Sequence, residues 1–313
     1  MGTDCHVVVV AEAPVVDELL DLAVARVELL EACWSRFRPS SELTQVNAAA
    51  GAGPVAISDD MYLLVERMQQ AWALSGGLFD PTVLSSMTAL GYDADFATVS
   101  TRSEAASLGS LELAAAPGMS GIRLDAEART VTLPLGVGLD PGAIGKGLAS
   151  DIIAAELYAA GATGVLVNLG GDLVFVGETE DGSGWSIGVE DERLPLGDPD
   201  RLVRLFEFPA GPSTAGIATS TTLKRRWAQG RRHHVIDPRT GRMSTGDLVQ
   251  VTVVADEAWQ AEVTATTALL MPAQEAFDWL REQDVTAILL TEDQMLVTSE
   301  STDDESASRG GNA

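Results

Sequence analysis

The stretch "HHVIDPRTGR", from His233 to Arg242, contains two of the three histidines in the chain. Adjacent side chains on a strand point to opposite faces, so these two imidazoles cannot easily bind one metal ion, and the absence of a nearby cysteine further disfavours zinc. One imidazole that faces a cleft would be a suitable base near neutral pH, while the other would face solvent or the opposite layer. The "DPRTG" that follows predicts a tight turn, which Asp237 or Arg239 braces.

A second candidate site is the glycine-rich stretch "GLDPGAIGKGLASD", in which Asp140 and Lys146 precede and begin a predicted helix. Glycines let the backbone approach a ligand closely, helix-start N–H groups attract anions, and Lys146 adds a positive charge. The spacing matches neither a Walker loop nor the dinucleotide-binding fingerprint. Two interpretations stay open from these residues alone: a cradle for a diphosphate, or a glycine-rich loop before an ordinary helix.

Glu262 and Thr266 lie four residues apart in "AWQAEVTATTALLM", so a helix would point both side chains from one face. Two hard oxygens at that spacing suit Mg²⁺, because phosphate oxygens and water can complete its octahedral shell. The alternative interpretation is a helix face that is exposed to solvent.

Asp80 in "SGGLFDPTV" and Asp172 in "VNLGGDLV" stand beside glycine or proline. Both are candidates for chemistry and equally for ordinary turn formation.

Composition limits the class of protein. The chain has 313 residues, of which 46% are hydrophobic, enough for one large domain or two small ones with a substantial core. Its net charge of −26 opposes nucleic acid and anionic lipid, so any phosphate-bearing ligand must be held by local groups. The two cysteines, Cys5 and Cys33, cannot form a disulfide framework and are expected to be small core residues. No apolar run reaches the length of a membrane span, and no basic region precedes "HVVVV".

The elements that must position these side chains follow from periodicity. "CHVVVV" predicts a strand, and a long helix follows it, with apolar residues at helical spacing. We expect a loop at "SRFRPSSELTQVNAAAGAGP", a helix from "SDDMYLLVERM" to the next glycines, and two short strands in "GIRLDAEARTVTLPL". A helix that ends at Gly161 and the strand pair in "TGVLVNLGGDLVFVG" come next.

The second half is predicted to contain strands at "WSIGVE", "RLVRLFEF" and "LVQVTVVA", a helix from about Glu257 to Leu270, a helix at "AQEAFDWLREQ" and a closing pair of strands. Strands and helices alternate without a regular repeat or a Gly/Ser linker. The sequence therefore predicts a single α+β domain over residues 1–298. The acidic, polar residues 299–313 are predicted to be a disordered tail.

Four stretches in this order, "MGTDC", "SGGLFDPTV", "DPGAIGKG" and "ATSTTLKRRWAQGRRHHVIDPRTGR", with "VNLGGD" between them, resemble the ApbE family of FAD:protein FMN transferases. Each stretch is weak evidence, whereas the ordered set is specific and spans Met1 to about Met271. The resemblance implies a T-fold-related α+β domain of mixed or antiparallel sheets with flanking helices.

The resemblance also implies roles for individual positions. The residues that would contact FAD are Met1, Leu78, Phe79, Asp80, Asp140, Lys146 and Ile236. His234 would be the base, with Asp140 as a rival for that role. The ligands of Mg²⁺ would be the backbone carbonyl of Ala143 and the side chains of Glu262 and Thr266. One departure is Glu262, because the family has Asp there and the extra methylene moves the carboxylate at a metal that demands near-ideal geometry.

The expected function is Mg²⁺-dependent transfer of FMN from FAD to a Ser or Thr hydroxyl of an acceptor flavoprotein, with release of AMP. By the same resemblance, the acceptor would carry a motif of the type Asp-x-x-Ser/Thr-Gly-Ala-Thr. Two alternatives are an FAD pyrophosphatase that gives FMN and AMP, and a non-catalytic FAD-binding protein. A cytoplasmic location is expected if Met1 is the true start, and an exported lipoprotein if the start lies upstream.

Overall fold

The helices flank a large antiparallel sheet. The computed structural model describes residues 2–102 and 113–298. The α-helices of this described part are α1 (Ala13–Trp34), α2 (Glu42–Ala48), α3 (Asp59–Leu74), α4 (Leu84–Ala89), α5 (Phe96–Ser100), α6 (Gly145–Ala159), α7 (Ala258–Leu269) and α8 (Ala273–Glu282). Short 3₁₀ helices lie at Pro81–Val83 and Met119–Gly121.

The strands form one large sheet and several small ones. In chain order they are β1 (Cys5–Val10), β2 (Val55–Ala56), β3 (Arg123–Asp125), β4 (Thr130–Thr132), β5 (Gly164–Leu169), β6 (Asp172–Gly177), β7 (Trp185–Glu190), β8 (Leu202–Phe208), β9 (Gly211–Thr221), β10 (Arg226–Trp227), β11 (Arg232–His233), β12 (Ile236–Asp237), β13 (Arg242–Met243), β14 (Leu248–Ala255), β15 (Thr286–Thr291) and β16 (Met295–Val297).

The large sheet has seven strands in the order β1-β5-β6-β9-β14-β15-β16, and every neighbouring pair is antiparallel. The smaller sheets are β2-β4-β3 and the pairs β7-β8, β10-β11 and β12-β13. The expected α+β class, with antiparallel sheets and flanking helices, is therefore confirmed.

Two apolar clusters hold the helices on the sheet. In the first, α6 packs on β5 and β6, α1 packs on α6 and α3, and Leu30, Leu64 and Val167 are fully buried. In the second, α7 and α8 cover β14 and β15 through residues such as Leu269 and Leu289. Because burying a large aliphatic side chain contributes about 1.5–3 kcal/mol, these clusters fix α6 and α7 relative to the sheet.

Two predictions from composition are corrected. The stretch expected to be a loop contains α2, whose start is capped because the Ser41 hydroxyl accepts from the N–H of Thr44 at 3.1 Å. Cys33 is buried as expected, whereas Cys5 is exposed because it begins β1, at the edge of the sheet. The strand β9 was not anticipated, and it lies between β6 and β14 in the middle of the sheet.

Some expectations concern residues outside this description. Met1 and the tail 299–313 lie outside the described residues, so their predicted roles stay predictions. The boundary of the predicted domain at residue 298 likewise stays a prediction. In residues 2–102 and 113–298, no helix is both long and apolar enough to cross a bilayer.

Candidate active site

A cavity of ≈ 490 Å³ collects the predicted site residues from four separate parts of the chain. This volume is typical of pockets that bind small molecules and cofactors. Met1 lies outside the described residues, and Asp172 does not line the cavity. Every other residue to which the resemblance assigns a role lines it: Leu78, Phe79, Asp80, Asp140, Ala143, Lys146, His234, Ile236, Glu262 and Thr266.

The glycine-rich loop and the start of α6 form one wall of the cavity. Asp140 holds the loop, because its Oδ1 accepts from the N–H of Gly142 at 2.9 Å. Ala143 has a φ of 67°, in the left-handed region that side chains rarely adopt. Gly145 and Lys146 occupy the first turn of α6 and line the cavity. The wall therefore presents Lys146 at the positive end of the α6 dipole, while the N–H groups of Gly145 and Gly147 donate within the protein, to the backbone oxygen of Pro141 and to Glu262.

Lys146 joins two buried carboxylates. Its Nζ lies 2.8 Å from Oε1 of Glu262 and also forms an ion pair with Asp172. The other oxygen of Glu262 accepts from the N–H of Gly147 at 2.8 Å. Glu262 and Asp172 are only 2% and 1% exposed. One ammonium against two carboxylates leaves this trio with one negative charge in excess, and a buried excess charge favours the binding of a further cation.

The contact between α6 and α7 sets the position of Glu262. A Cβ at Gly147 would lie 2.5 Å from the backbone oxygen of Ala258, so only glycine permits this approach. Asp151 on α6 caps α7, because its carboxylate accepts from the N–H groups of Ala258 and Trp259 at 2.8 and 2.9 Å. Burial raises the pKa of Asp151 to about 7, and the charges of the nearby Glu257 and Glu262 act in the same direction.

The predicted ligands of Mg²⁺ are all hard oxygen atoms, and the residues that carry them line the same cavity. Thr266 and Glu262 project from α7, the Ala143 carbonyl belongs to the loop before α6, and the Thr266 hydroxyl is 2.6 Å from that of Ser220. Within the described part of the chain, no group of three or more His, Cys, Asp or Glu is arranged to hold a metal. A single carboxylate with a carbonyl and a hydroxyl fits Mg²⁺, which leaves further positions to phosphate oxygens and water.

Arg36 is a cavity residue that the sequence did not single out. Its Nε lies 3.2 Å from Oδ2 of Asp140, and both side chains are buried. Its Nη1 donates to the backbone oxygen of Tyr92 at 2.7 Å, and its guanidinium lies 4.1 Å from the ring centre of Phe37 and 4.6 Å from that of Tyr92. Asp140 is therefore held in the cavity wall as an acceptor by Arg36 and by the N–H of Gly142.

Asp80 both forms a turn and lines the cavity. Its Oδ1 accepts from the N–H and the hydroxyl of Thr82 at 2.8 and 2.6 Å, which caps the 3₁₀ helix Pro81–Val83. The backbone oxygen of Pro81 in turn accepts from the N–H of Asp140 at 2.8 Å. The two motifs that contain Asp80 and Asp140 are thereby held side by side.

The two adjacent histidines have different surroundings. The Nε2 of His233 is 3.1 Å from the backbone oxygen of Ser244, and its Nδ1 accepts from the N–H of Val235 at 3.3 Å. His234 lines the cavity, and its buried Nδ1 has no hydrogen-bond partner among the described residues. Burial lowers the pKa of His234 to about 3, and the positive charge of the nearby Arg225 adds to that effect. His234 is therefore a neutral imidazole that faces the cavity.

The expected turn after the histidines is present. The strands β12 and β13 pair across it, and the N–H of Gly241 donates to the backbone oxygen of Asp237 at 2.8 Å. Arg239 braces it through an Nε that lies 2.9 Å from Asp237 and an Nη2 that donates to the backbone oxygen of Leu270 at 3.2 Å. Because α7 ends beside Leu270, the turn also ties the histidine segment to the helix that carries Glu262.

A family model described as "ApbE family" matches residues 1–289. The chain is 32% identical over 267 residues to the FAD:protein FMN transferase of Rhodobacter capsulatus, with 83% of this chain and 48% of that protein covered. It therefore spans about half the length of that relative. It is 27% identical over 297 residues to the FAD:protein FMN transferase of Treponema pallidum, with 90% and 80% covered.

Solved structures share the fold. The ApbE protein of Thermotoga maritima superposes with a TM-score of 0.79 at 22% identity, over 95% of this chain and 94% of that one. The apo form of the flavinyl transferase ApbE of Pseudomonas stutzeri gives a TM-score of 0.76 at 21% identity, over 96% and 92%. At these identities the similarity shows the architecture alone.

Proposed function

The chain belongs to the ApbE family, and from that premise we propose that it transfers FMN from FAD to a Ser or Thr hydroxyl of an acceptor protein. The observation that carries the proposal is the meeting, in one cavity, of the α6 start, Lys146, the buried carboxylate of Glu262 and the neutral imidazole of His234. These groups suit a reaction at a diphosphate, which needs positive charge on one side and a proton acceptor on the other.

In the proposed reaction the acceptor hydroxyl oxygen forms a bond to the phosphorus of the FMN half. The bond from that phosphorus to the bridging oxygen breaks, and AMP leaves with the oxygen and its electron pair. Lys146 binds the diphosphate oxygens at the positive end of the α6 dipole, and this positive charge stabilises the negative charge that develops on AMP. Mg²⁺, held by the Ala143 carbonyl, Glu262 and Thr266, would add positive charge at the same oxygens.

His234 is the proposed acceptor of the hydroxyl proton. It is neutral at physiological pH, as a base must be, and its Nδ1 has no competing partner in the described residues. Negative charge brought into the cavity by the diphosphate raises the pKa of an imidazole, which improves it as a base at the moment of reaction. Such help is typically worth about 10² to 10⁴ in rate. Asp140, paired with Arg36, instead serves to bind and orient FAD.

The proposal is tested with FAD, Mg²⁺ and an acceptor protein that carries an Asp-x-x-Ser/Thr-Gly-Ala-Thr motif. We expect the intact mass of the acceptor to rise by one FMN, and an acceptor with Ala in place of the Ser or Thr to stay unmodified. The variant His234→Ala should lose about 10² to 10⁴ in rate while it still binds FAD. Free FMN and AMP with an unmodified acceptor would instead indicate a pyrophosphatase, and intact FAD would indicate a binding protein.

A further inference from the structure

A short, strongly basic segment stands out in an acidic protein. Residues 224–232, "KRRWAQGRR", contain five of the 20 Lys and Arg residues of the chain, which has a net charge of −26. No Asp or Glu occurs anywhere from residue 208 to residue 236. We call residues 224–232 the basic hairpin.

The basic hairpin is a two-stranded structure that is packed against the rest of the protein. Its strands β10 and β11 are antiparallel, with Arg226 opposite His233. Trp227 is 3% exposed, its Nε1 donates to the backbone oxygen of Leu90 at 3.2 Å, and its ring centre is 5.3 Å from that of Tyr92. A buried tryptophan therefore ties the hairpin to the cavity wall, while Arg226 on the neighbouring position is exposed.

The hairpin lies at the rim of the cavity. Lys224 and Arg225 line the cavity, and His234 follows the hairpin by two residues in the chain. Arg226 does not line the cavity and holds the backbone oxygen of Thr222 through its Nε at 2.7 Å. Its charge is thus presented outside the cavity that FAD would occupy, next in the chain to the cavity-lining Arg225.

We propose that the basic hairpin is the docking surface for the acceptor protein, and that it binds acidic residues which flank the acceptor hydroxyl. The inference rests on the proposed transferase function. An acidic partner is repelled by the rest of the surface, so a local basic patch beside His234 both attracts it and selects the productive orientation. Extended polyanions such as DNA or an anionic membrane would meet the repulsive surface around the patch as well, and they are the less favourable occupants.

The test uses two fluorescent peptides that share one acceptor motif and differ only in three flanking residues, Glu in one and Gln in the other. With FAD present at low salt, we expect the protein to bind the Glu peptide about threefold more tightly, because Arg226 is exposed to a partner whereas Lys224 is already paired with Glu192. The preference should shrink as salt rises, because exposed charges are screened. Equal binding of the two peptides, or no binding of either, would overturn the proposal.

Variants at single arginines test whether the preference for the Glu peptide depends on the basic hairpin. Arg226→Glu should abolish the preference for the Glu peptide and leave the affinity for FAD unchanged, whereas Arg226→Lys should keep the preference because it keeps the charge. Arg123→Glu makes the same charge change at an exposed arginine on β3, away from the cavity, and should behave as the wild type. A preference that survives Arg226→Glu, or is lost equally in Arg123→Glu, contradicts a role for the hairpin.

The outcomes distinguish a failure of the docking surface from a failure of the proposed transfer reaction. If the acceptor protein gains no FMN but the peptide preference depends on Arg226, the proposed reaction fails and the docking surface stands. If FMN is transferred to both peptides at equal rates with equal affinity, the reaction stands and the docking surface fails. Wild-type binding to phosphatidylglycerol vesicles that Arg226→Glu removes would assign the hairpin to a lipid surface and refute the proposal.

Discussion

Replacing Gly147 by alanine should damage the site through the backbone alone. The new Cβ would lie 2.5 Å from the oxygen and 2.6 Å from the carbon of the Ala258 carbonyl, and 2.7 Å from the Cα of Trp259. All three are backbone atoms, so no side chain can rotate away and α6 must move from α7. The N–H of Gly147 then loses its 2.8 Å contact with Glu262.

The expected change in the free energy of unfolding combines two losses and one gain. Overpacking costs about 1–3 kcal/mol, and a lost hydrogen bond to a charged group costs about 1.5–3 kcal/mol. Alanine returns about 1 kcal/mol through its better helix propensity. The net loss in the free energy of unfolding is therefore about 1.5–5 kcal/mol. At about 2 °C per kcal/mol for a chain of this size, the midpoint of thermal unfolding should fall by roughly 3–10 °C.

Thermal unfolding and FAD titration check this prediction. The control is Gly145→Ala, in the same turn of α6, where the nearest atom to the new Cβ is the Cβ of Pro141 at 3.3 Å. Its gain in helix propensity is not offset by a clash with backbone atoms, so it should unfold at or slightly above the wild-type temperature. Gly147→Ala should also bind FAD more weakly, because Lys146 and Glu262 separate. A Gly147→Ala protein with wild-type stability and FAD affinity would refute the close α6–α7 contact as the source of the site geometry.

Three further predictions concern ionisable side chains of the site. Arg36→Gln leaves the buried carboxylate of Asp140 unpaired and should lower the free energy of unfolding by about 3–5 kcal/mol in urea titrations; wild-type stability would contradict the pairing. Glu262→Gln should remove any rise in unfolding temperature that Mg²⁺ produces with FAD present, while an unchanged rise would place the metal elsewhere. Folding lowers the pKa of His234 from 6.5 to about 3, so in that range the unfolded chain binds more protons and stability should increase with pH. In His234→Gln this contribution should disappear from pH-dependent urea titrations, and an unaltered slope would argue against the buried imidazole.

The sequence predicts elements best where one periodicity dominates. The apolar spacing of "PVVDELLDLAVARVELLEACW" corresponds to α1, and "LVQVTVVA" corresponds to β14. The strand β9, "GPSTAGIATST", is rich in residues that strands avoid, and it is a strand because β6 and β14 pair with both of its edges. That pairing is a property of the whole sheet and leaves no local trace in composition.

The residues of the site likewise include some whose positions local spacing predicts and others whose positions it does not predict. Helical spacing alone places Glu262 and Thr266 on one face of α7, and both line the cavity. The pairing of Lys146 with Glu262 joins residues 116 positions apart, and that of Arg36 with Asp140 joins two loops. Such contacts depend on how the helices and loops pack, so spacing could not predict them. Arg36 stood in a stretch whose Ser and Pro content predicted only a loop.

Under the proposed function, the excess charge beside Lys146 would couple the binding of Mg²⁺ to that of FAD. Lys146, Glu262 and Asp172 together carry −1, which disfavours a diphosphate, whereas the same trio with a divalent cation carries +1. The cation would thus raise the affinity for FAD, and by thermodynamic linkage FAD would raise the affinity for the cation by the same factor. In a chain with a net charge of −26, an anionic substrate would then be held mainly when the metal is present. The extra methylene of Glu262 is compatible with this role, because its carboxylate is oriented by Lys146 and by the N–H of Gly147.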